Sequence, residues 1–378
     1  MSAISLYTPY WSTRGGGERY LLQLATTLKR SFGGEVSVLM RPSDPPLHDL
    51  GRYFNLDISA LSATRVQTEH EITKVTKESD VFILLSNVKP IKTFARKNVL
   101  LLQIPFPRLS TSSLVSDLLS GQWRDALKSI RRRALFAFAQ TQADLVLCNS
   151  QFTAHNLAKN WDIRSEILYP PVQNFRDEPI PRRKVILSVG RFFAGLYNEK
   201  RYDLLTSVFR QLQKSSLPDW EYHLVGSSSG SRQSHRLIEQ LQMENKGLPV
   251  FFHVNESYDS LRTLYNEATI FWHAAGYGVD EELRPERVEH FGMTTVEAMS
   301  AGCIPVVVNK GGQREIVQHN VSGYLWDTRE QLAQYTEAIA SGRAPLDRIQ
   351  QQAQMRSRQF SVLEFERRVQ ELFSPLLR

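Results

Sequence analysis

Cysteine is scarce: Cys148 and Cys303 are the only two in 378 residues, and each sits in an apolar stretch. A disulfide framework is thereby excluded, and the expectation is a pair of buried, reduced thiols in a cytoplasmic protein. No apolar run approaches the ~20 residues that cross a bilayer. The opening residues Met1 to Leu6 lack the basic and long apolar regions of a secretory signal. Nine histidines are scattered without HExxH or other tight ligand spacing, so no metal site is expected. The one acidic run, Asp280-Glu281-Glu282, reads as a solvated loop. Glycine runs occur, but none continues into Gly-Lys-Ser/Thr or fits GxGxxG, which argues against a P-loop and a nicotinamide dinucleotide fold. Basic residues lack interleaved aromatics, so nucleic acid is not an expected partner.

What is present is ordinary globular composition, 42% apolar and 22% charged, in a chain long enough for two cored domains. The net charge of +7 is uneven. Up to Val172 there are 21 Lys and Arg against 14 Asp and Glu, and beyond it 25 against 25. The first half is therefore the basic one, suited to an anionic lipid surface or an acidic substrate. Within it Lys128-Ser129-Ile130-Arg131-Arg132-Arg133 falls in a helical stretch with Leu127, Leu135 and Phe136. A basic amphipathic helix of this kind can lie on a membrane; a solvated charged face over a core is the plain alternative.

Apolar runs alternate with amphipathic segments throughout, the pattern of a parallel α/β fold. Strands are expected over 3–7, 36–40, 81–85, 99–103 and 145–149, with helices over 18–30 and 123–140 and a third capped by Ser150. Tyr169-Pro170-Pro171-Val172 breaks the pattern, and the polar stretch 173–184 reads as a linker. The alternation then resumes, with strands over 185–189, 221–225, 250–254, 269–273 and 305–308. The expected division is a Rossmann-like domain over 1–172, a linker over 173–184 and a second Rossmann-like domain over 185–358.

Chemistry concentrates in Glu289-His290-Phe291-Gly292-Met293-Thr294-Thr295-Val296-Glu297, followed by Ala298-Met299-Ser300-Ala301-Gly302-Cys303-Ile304-Pro305. Two carboxylates bracket a glycine that opens a helix. A helix N-terminus offers unpaired N–H groups and the positive end of a dipole, a natural phosphate site. Glu297, one turn inside, can accept hydrogen bonds from a vicinal diol. Arg14-Gly15-Gly16-Gly17-Glu18 follows the first strand, either as a simple tight turn or as a place where backbone approaches a ligand. Ser188-Val189-Gly190-Arg191 ends the first strand of the second half, with Lys200 ahead of the next helix.

This Glu-x7-Glu run with Phe-Gly inside resembles the nucleotide-sugar motif of retaining GT-B glycosyltransferases of family four. The resemblance covers nearly all of the second half and, more loosely, the first. It implies two Rossmann-like domains with parallel sheets facing an inter-domain cleft, and a terminal helix over 359–378 crossing back to the first domain, which would bind the acceptor. It also implies transfer of a sugar from a nucleotide-diphospho-sugar to a glycan, lipid-linked or other hydroxyl acceptor, without metal or other cofactor. A shape-sharing nucleotide-sugar binder without activity is the alternative. On this resemblance Glu289 holds the donor sugar and Glu297 the ribose. Gly292, Met293 and Thr294, with Gly190, Arg191 and Lys200, meet the diphosphate, and Gly15, Gly16 and Gly17 face donor and acceptor. The chain departs from the family in three places. The stretch 192–199 is longer than usual, leaving Arg201 as a substitute for Lys200; Gln313 stands where proline is usual; and Gln103 occupies a position that often carries histidine. Such an enzyme would be cytoplasmic, with a peripheral membrane site open to it through its basic half.

Overall fold

The computed structural model describes residues 2–108, 123–176, 180–192, 200–228 and 230–377. They divide into two compact units, Met1–Pro171 joined by Val362–Arg378, and Val172–Ser361.

The first unit is built on a seven-stranded, wholly parallel sheet in the order β3-β2-β1-β4-β5-β6-β7. Its strands are β1 (Ala3–Tyr7), β2 (Glu35–Met40), β3 (Ser62–Arg65), β4 (Val81–Leu85), β5 (Lys97–Leu102), β6 (Leu145–Cys148) and β7 (Glu166–Ile167). Central strands such as β4, Val-Phe-Ile-Leu-Leu, are buried along their whole length, as expected where both faces are covered by helices. Those helices are α1 (Gly16–Phe32), α2 (Leu47–Phe54), α3 (Glu69–Val75), α4 (Trp123–Thr141), α5 (Gln151–Trp161) and, from the far end of the chain, α13 (Val362–Leu377). Phe365, Val369 and Phe373 of α13 share one core with Tyr20, Leu21, Leu24 and Leu28 of α1. Tyr20 packs edge-on to Phe365 and donates to the Leu168 carbonyl at 2.7 Å.

The second unit repeats the plan with six parallel strands in the order β10-β9-β8-β11-β12-β13. These are β8 (Arg183–Val189), β9 (Glu221–Gly226), β10 (Val250–Val254), β11 (Ala268–His273), β12 (Ile304–Val308) and β13 (Tyr324–Trp326). The helices are α6 (Tyr202–Ser215), α7 (Arg232–Glu244), α8 (Tyr258–Glu267), α9 (Met293–Ala301), α10 (Gln313–Ile316), α11 (Arg329–Ala340) and α12 (Leu346–Ser357). Helix α9 is made mostly of small and apolar residues and is buried from Thr295 to Ala301.

The segment expected to be a linker is packed into the second unit. Phe175 is fully buried, stacked edge-on to Tyr265 at 5.1 Å. Arg182 donates to the carbonyls of Tyr265 and Ala268 at 2.9 and 2.7 Å and to that of Ala301 at the end of α9. Its prolines and charges suggested a tether, but one aromatic and one arginine anchor it. Strands β3, β7 and β13 were not expected; β3 is a polar, largely exposed edge strand with no apolar alternation to announce it.

Candidate active site

In each sheet the strand order reverses once, between β1 and β4 and between β8 and β11. Open parallel sheets bind ligands at the carboxyl ends of the strands flanking such a switch point. In the second unit, Gly190 follows β8, donating its N–H to Val225 O at 2.9 Å and accepting Tyr202 Oη at 2.8 Å. His273 is the last residue of β11 and fully buried. Lys200 and Glu289 meet there. Lys200 Nζ donates to Glu289 Oε2 at 2.5 Å, and His273 Nε2 lies 3.1 Å from the same oxygen. Burial pushes the Glu289 carboxyl up, but the Lys200 ammonium and the His273 hydrogen bond outweigh it and hold it well below the usual carboxylate range. Burial likewise pulls His273 below the usual histidine range, more than Glu289 restores. The constellation is an ionised carboxylate with an ammonium and a neutral imidazole on one oxygen.

Immediately beyond, Gly292 caps α9 with φ +117°, a conformation that disfavours any L side chain. A Cβ there would also stand 2.7 Å from Gln313 Nε2. Backbone donors of the first turn have no intrahelical acceptor, and Met293 and Thr294 are partly exposed at this end. No acidic side chain occupies that turn to compete for an anion. One turn in, Glu297 is buried, and Tyr265 Oη donates to its Oε2 at 3.0 Å. The loop before α10 braces this region from behind. Gly312 N donates to the Glu289 carbonyl at 2.8 Å, and Gly311 N donates to Glu281 Oε2 at 2.8 Å.

The last contact corrects the solvated-loop reading of Asp280-Glu281-Glu282 at Glu281 alone, since Asp280 and Glu282 are exposed. Glu281 is 12% exposed and binds Arg314 at 2.6 Å as well as Gly311. Two further residues had no role assigned from sequence, His273 and Tyr265, and Gln313 stood out only as a departure from the usual proline. His273 was legible only as a histidine ending an apolar strand next to the switch point; the partners of Tyr265 and Gln313 are 32 and 40 residues away in the chain. Of the two cations offered for one position, Lys200 reaches Glu289, whereas Arg201 turns to Asp203 and the Tyr277 carbonyl. Arg191 is half-buried just after β8. The remainder of the long stretch, 193–199, lies outside the described residues.

The first unit brings its own candidates together at the carboxyl end of β1. Glu18 accepts from the Gly15 N–H at 2.5 Å and from Thr13 Oγ1 at 2.7 Å, fastening the glycine loop to the start of α1. Gln103 lies directly against Gly17, where a Cβ would meet its Oε1 at 2.5 Å. Asn87 Oδ1 receives the N–H groups of Gln103 and Ile104 at 3.2 and 3.3 Å. Helix α4 divides its apolar residues. Leu135 and Phe136 enter the core, but Leu127 and Ile130 are 37% and 49% exposed, beside exposed Lys128 and Arg131. Among the described residues, no group of three or more His, Cys, Asp or Glu is arranged to hold a metal ion.

Residues 173–356, nearly all of the second unit, match the family "Glycosyl transferases group 1". The doubly wound architecture of both units is that of the GT-B fold, and the family match falls on the second of them. The chain is 29% identical over 260 residues to the human GDP-Man:Man(3)GlcNAc(2)-PP-Dol alpha-1,2-mannosyltransferase, covering 61% of this chain and 49% of that one. It is 27% identical over 200 residues to human alpha-1,3/1,6-mannosyltransferase ALG2, covering 48% and 46%. The matched region thus spans about half the length of these curated relatives. The Anabaena HepE structure in complex with UDP-glucose shares the fold at a TM-score of 0.71 and 17% identity, over 99% of this chain and all of that one.

Proposed function

We propose that this chain is a retaining, metal-independent hexosyltransferase that moves a sugar from a nucleotide-diphospho-sugar to a hydroxyl of a glycan or lipid-linked glycan. The observation that carries the reading is the Lys200–Glu289–His273 cluster at the β8/β11 switch point, directly ahead of the glycine-capped N-terminus of α9. Lys200 has three donor protons, so one can hold Glu289 while the others meet a diphosphate. Arg191 and the amides of Gly292, Met293 and Thr294 would share that charge, and Glu297, oriented by Tyr265, would take the ribose diol. Lys200 and His273 both converge on Glu289 Oε2, so Oε1 is the oxygen offered to the sugar. In the transfer step the bond from anomeric carbon to diphosphate oxygen breaks, the acceptor oxygen bonds to the same face, and its proton passes to the departing diphosphate. Gln103 would contact sugar or acceptor without moving a proton, since an amide cannot shuttle one. The glycine loop Gly15, Gly16 and Gly17, with Gly190, would allow donor and acceptor close approach.

The mannosyl relatives make GDP-mannose the first donor to try, and the UDP-glucose complex makes that the second. A thermal-shift screen of GDP, UDP and ADP with their sugars tests the donor site, because a ligand at 100 times its Kd stabilises by about 2.7 kcal/mol. Transfer to a lipid-linked oligosaccharide, with product anomer read by NMR, tests the rest; donor binding without transfer would favour the inactive alternative. Activity is expected to persist in excess EDTA, since cations and helix amides supply the charge that a metal otherwise would. Complete loss, restored by magnesium or manganese, would refute metal independence. We further propose a cytoplasmic, membrane-peripheral site of action, supported by two buried free thiols and by the exposed Leu127 and Ile130 among basic residues.

A further inference from the structure

Gln313 is fully buried at the start of α10, and its amide lies between the capping glycine of α9 and His273. Its Nε2 is 3.4 Å from His273 Nδ1, and its Oε1 is buried with no hydrogen-bond partner. Leaving a buried amide oxygen unsatisfied is costly, so the placement calls for a compensating role.

The protons can be assigned by elimination. Glu289 is ionised and acts only as an acceptor, so the His273 nitrogen facing it, Nε2, must carry a hydrogen. The neutral ring then leaves Nδ1 bare, an acceptor that needs a donor. The Gln313 Nε2 amide is the group the structure puts there. Proline, the residue usual in the resembled family, has no such donor. We propose that Gln313 fixes His273 in the Nε2–H tautomer and, through it, holds the Glu289 carboxylate oriented against Lys200. Gln313 and His273 are positioning residues in this relay, since neither is asked to touch the reacting atoms. The consequence for turnover rests on the transferase reading above; the tautomer does not.

Two measurements separate these. Nitrogen-15 imidazole shifts, with His273 assigned by its loss in His273→Asn, should show protonated Nε2 and bare Nδ1 in the wild-type chain. Gln313→Met keeps the length but removes the donor. It should mix the two tautomers and lower kcat on the order of tenfold, the usual scale for groups that orient a primary one, while the Kd for nucleoside diphosphate stays within about twofold. Gln313→Glu should restore kcat at acidic pH only. Its carboxylate raises the His273 pKa, so the imidazolium that satisfies both carboxylates is present below that value and lost as pH rises through it. A wild-type ring protonated on Nδ1 would overturn the relay, whether or not any variant folds. So would a Gln313→Met protein with unmixed tautomer and unchanged kcat. Predicted tautomers in a chain that transfers no sugar would refute the transferase reading and leave the relay standing.

Discussion

Glu289 and Glu297 differ in what surrounds them, and that difference sets what each substitution should do. Glu289 is held ionised by Lys200 and His273. Its folded pKa lies below its unfolded value, so this contribution to stability is present above the ordinary carboxylate range and lost only as pH falls through the depressed value. Between about pH 5 and 8 it adds no limb to a pH–rate profile. Glu289→Gln should lower kcat by roughly 10²–10³, the scale of losing one preorganised charge, with a smaller effect on nucleoside diphosphate affinity. Wild-type turnover in that variant would reduce Glu289 to a loop residue. Glu297→Ala should weaken nucleotide binding by roughly 1.5–3 kcal/mol, and Tyr265→Phe by less, about 1 kcal/mol, since it removes only the group that aims the carboxylate. Calorimetry giving unchanged affinity for both would remove the ribose assignment. The glutamates were legible because their spacing survives in the linear chain. Tyr265, His273 and Gln313 were not, because each acts through a partner brought near by the fold.

At the level of elements, strands buried on both faces could be read from the sequence almost to their ends, because unbroken β-branched and leucine runs have few other destinations. Strand β3 escaped, since Ser-Ala-Thr-Arg at a sheet edge buries almost nothing. Within the acidic run before α9, Glu281 was misread for the opposite reason: three consecutive acids look solvated, and Asp280 and Glu282 are, yet Glu281 is turned inward to the Gly311 amide. Helix α9 was legible as the site helix through Gly292, whose φ of +117° no other residue adopts readily. Gly292→Ala should therefore cost about 1–3 kcal/mol of stability from strain alone. It should also displace the Gln313 amide and depress diphosphate binding. Thermal unfolding and nucleotide titration on the same sample check this. A protein as stable and as tight-binding as wild type would mean that the cap conformation is dispensable.

Across the whole chain, charge is distributed by unit. The +7 excess lies before the second unit begins, and residues 362–378, which rejoin the first unit, add three basic and three acidic groups. With Leu127 and Ile130 exposed beside Lys128 and Arg131, α4 should carry the chain to anionic membranes, each basic residue near the surface contributing about 1 kcal/mol at low salt. Co-sedimentation with phosphatidylglycerol liposomes should exceed that with neutral ones, fall at high salt, and drop when Arg131, Arg132 and Arg133 are all changed to Ser. Equal recovery in the supernatant for both proteins would remove the membrane from the proposed function.

The first unit is assembled from both extremities of the polypeptide, with α13 supplying Phe365, Val369 and Phe373 to a core begun by α1. Synthesis runs in one direction, so as the chain leaves the ribosome the second unit has all of its residues before the first unit does. Until α13 emerges, Tyr20 and Leu24 lack the neighbours that finally cover them. The basic half is thus made first and finished last, and a ribosome that stalls short of Phe365 releases a chain whose second unit has all its residues while its first unit lacks part of its core.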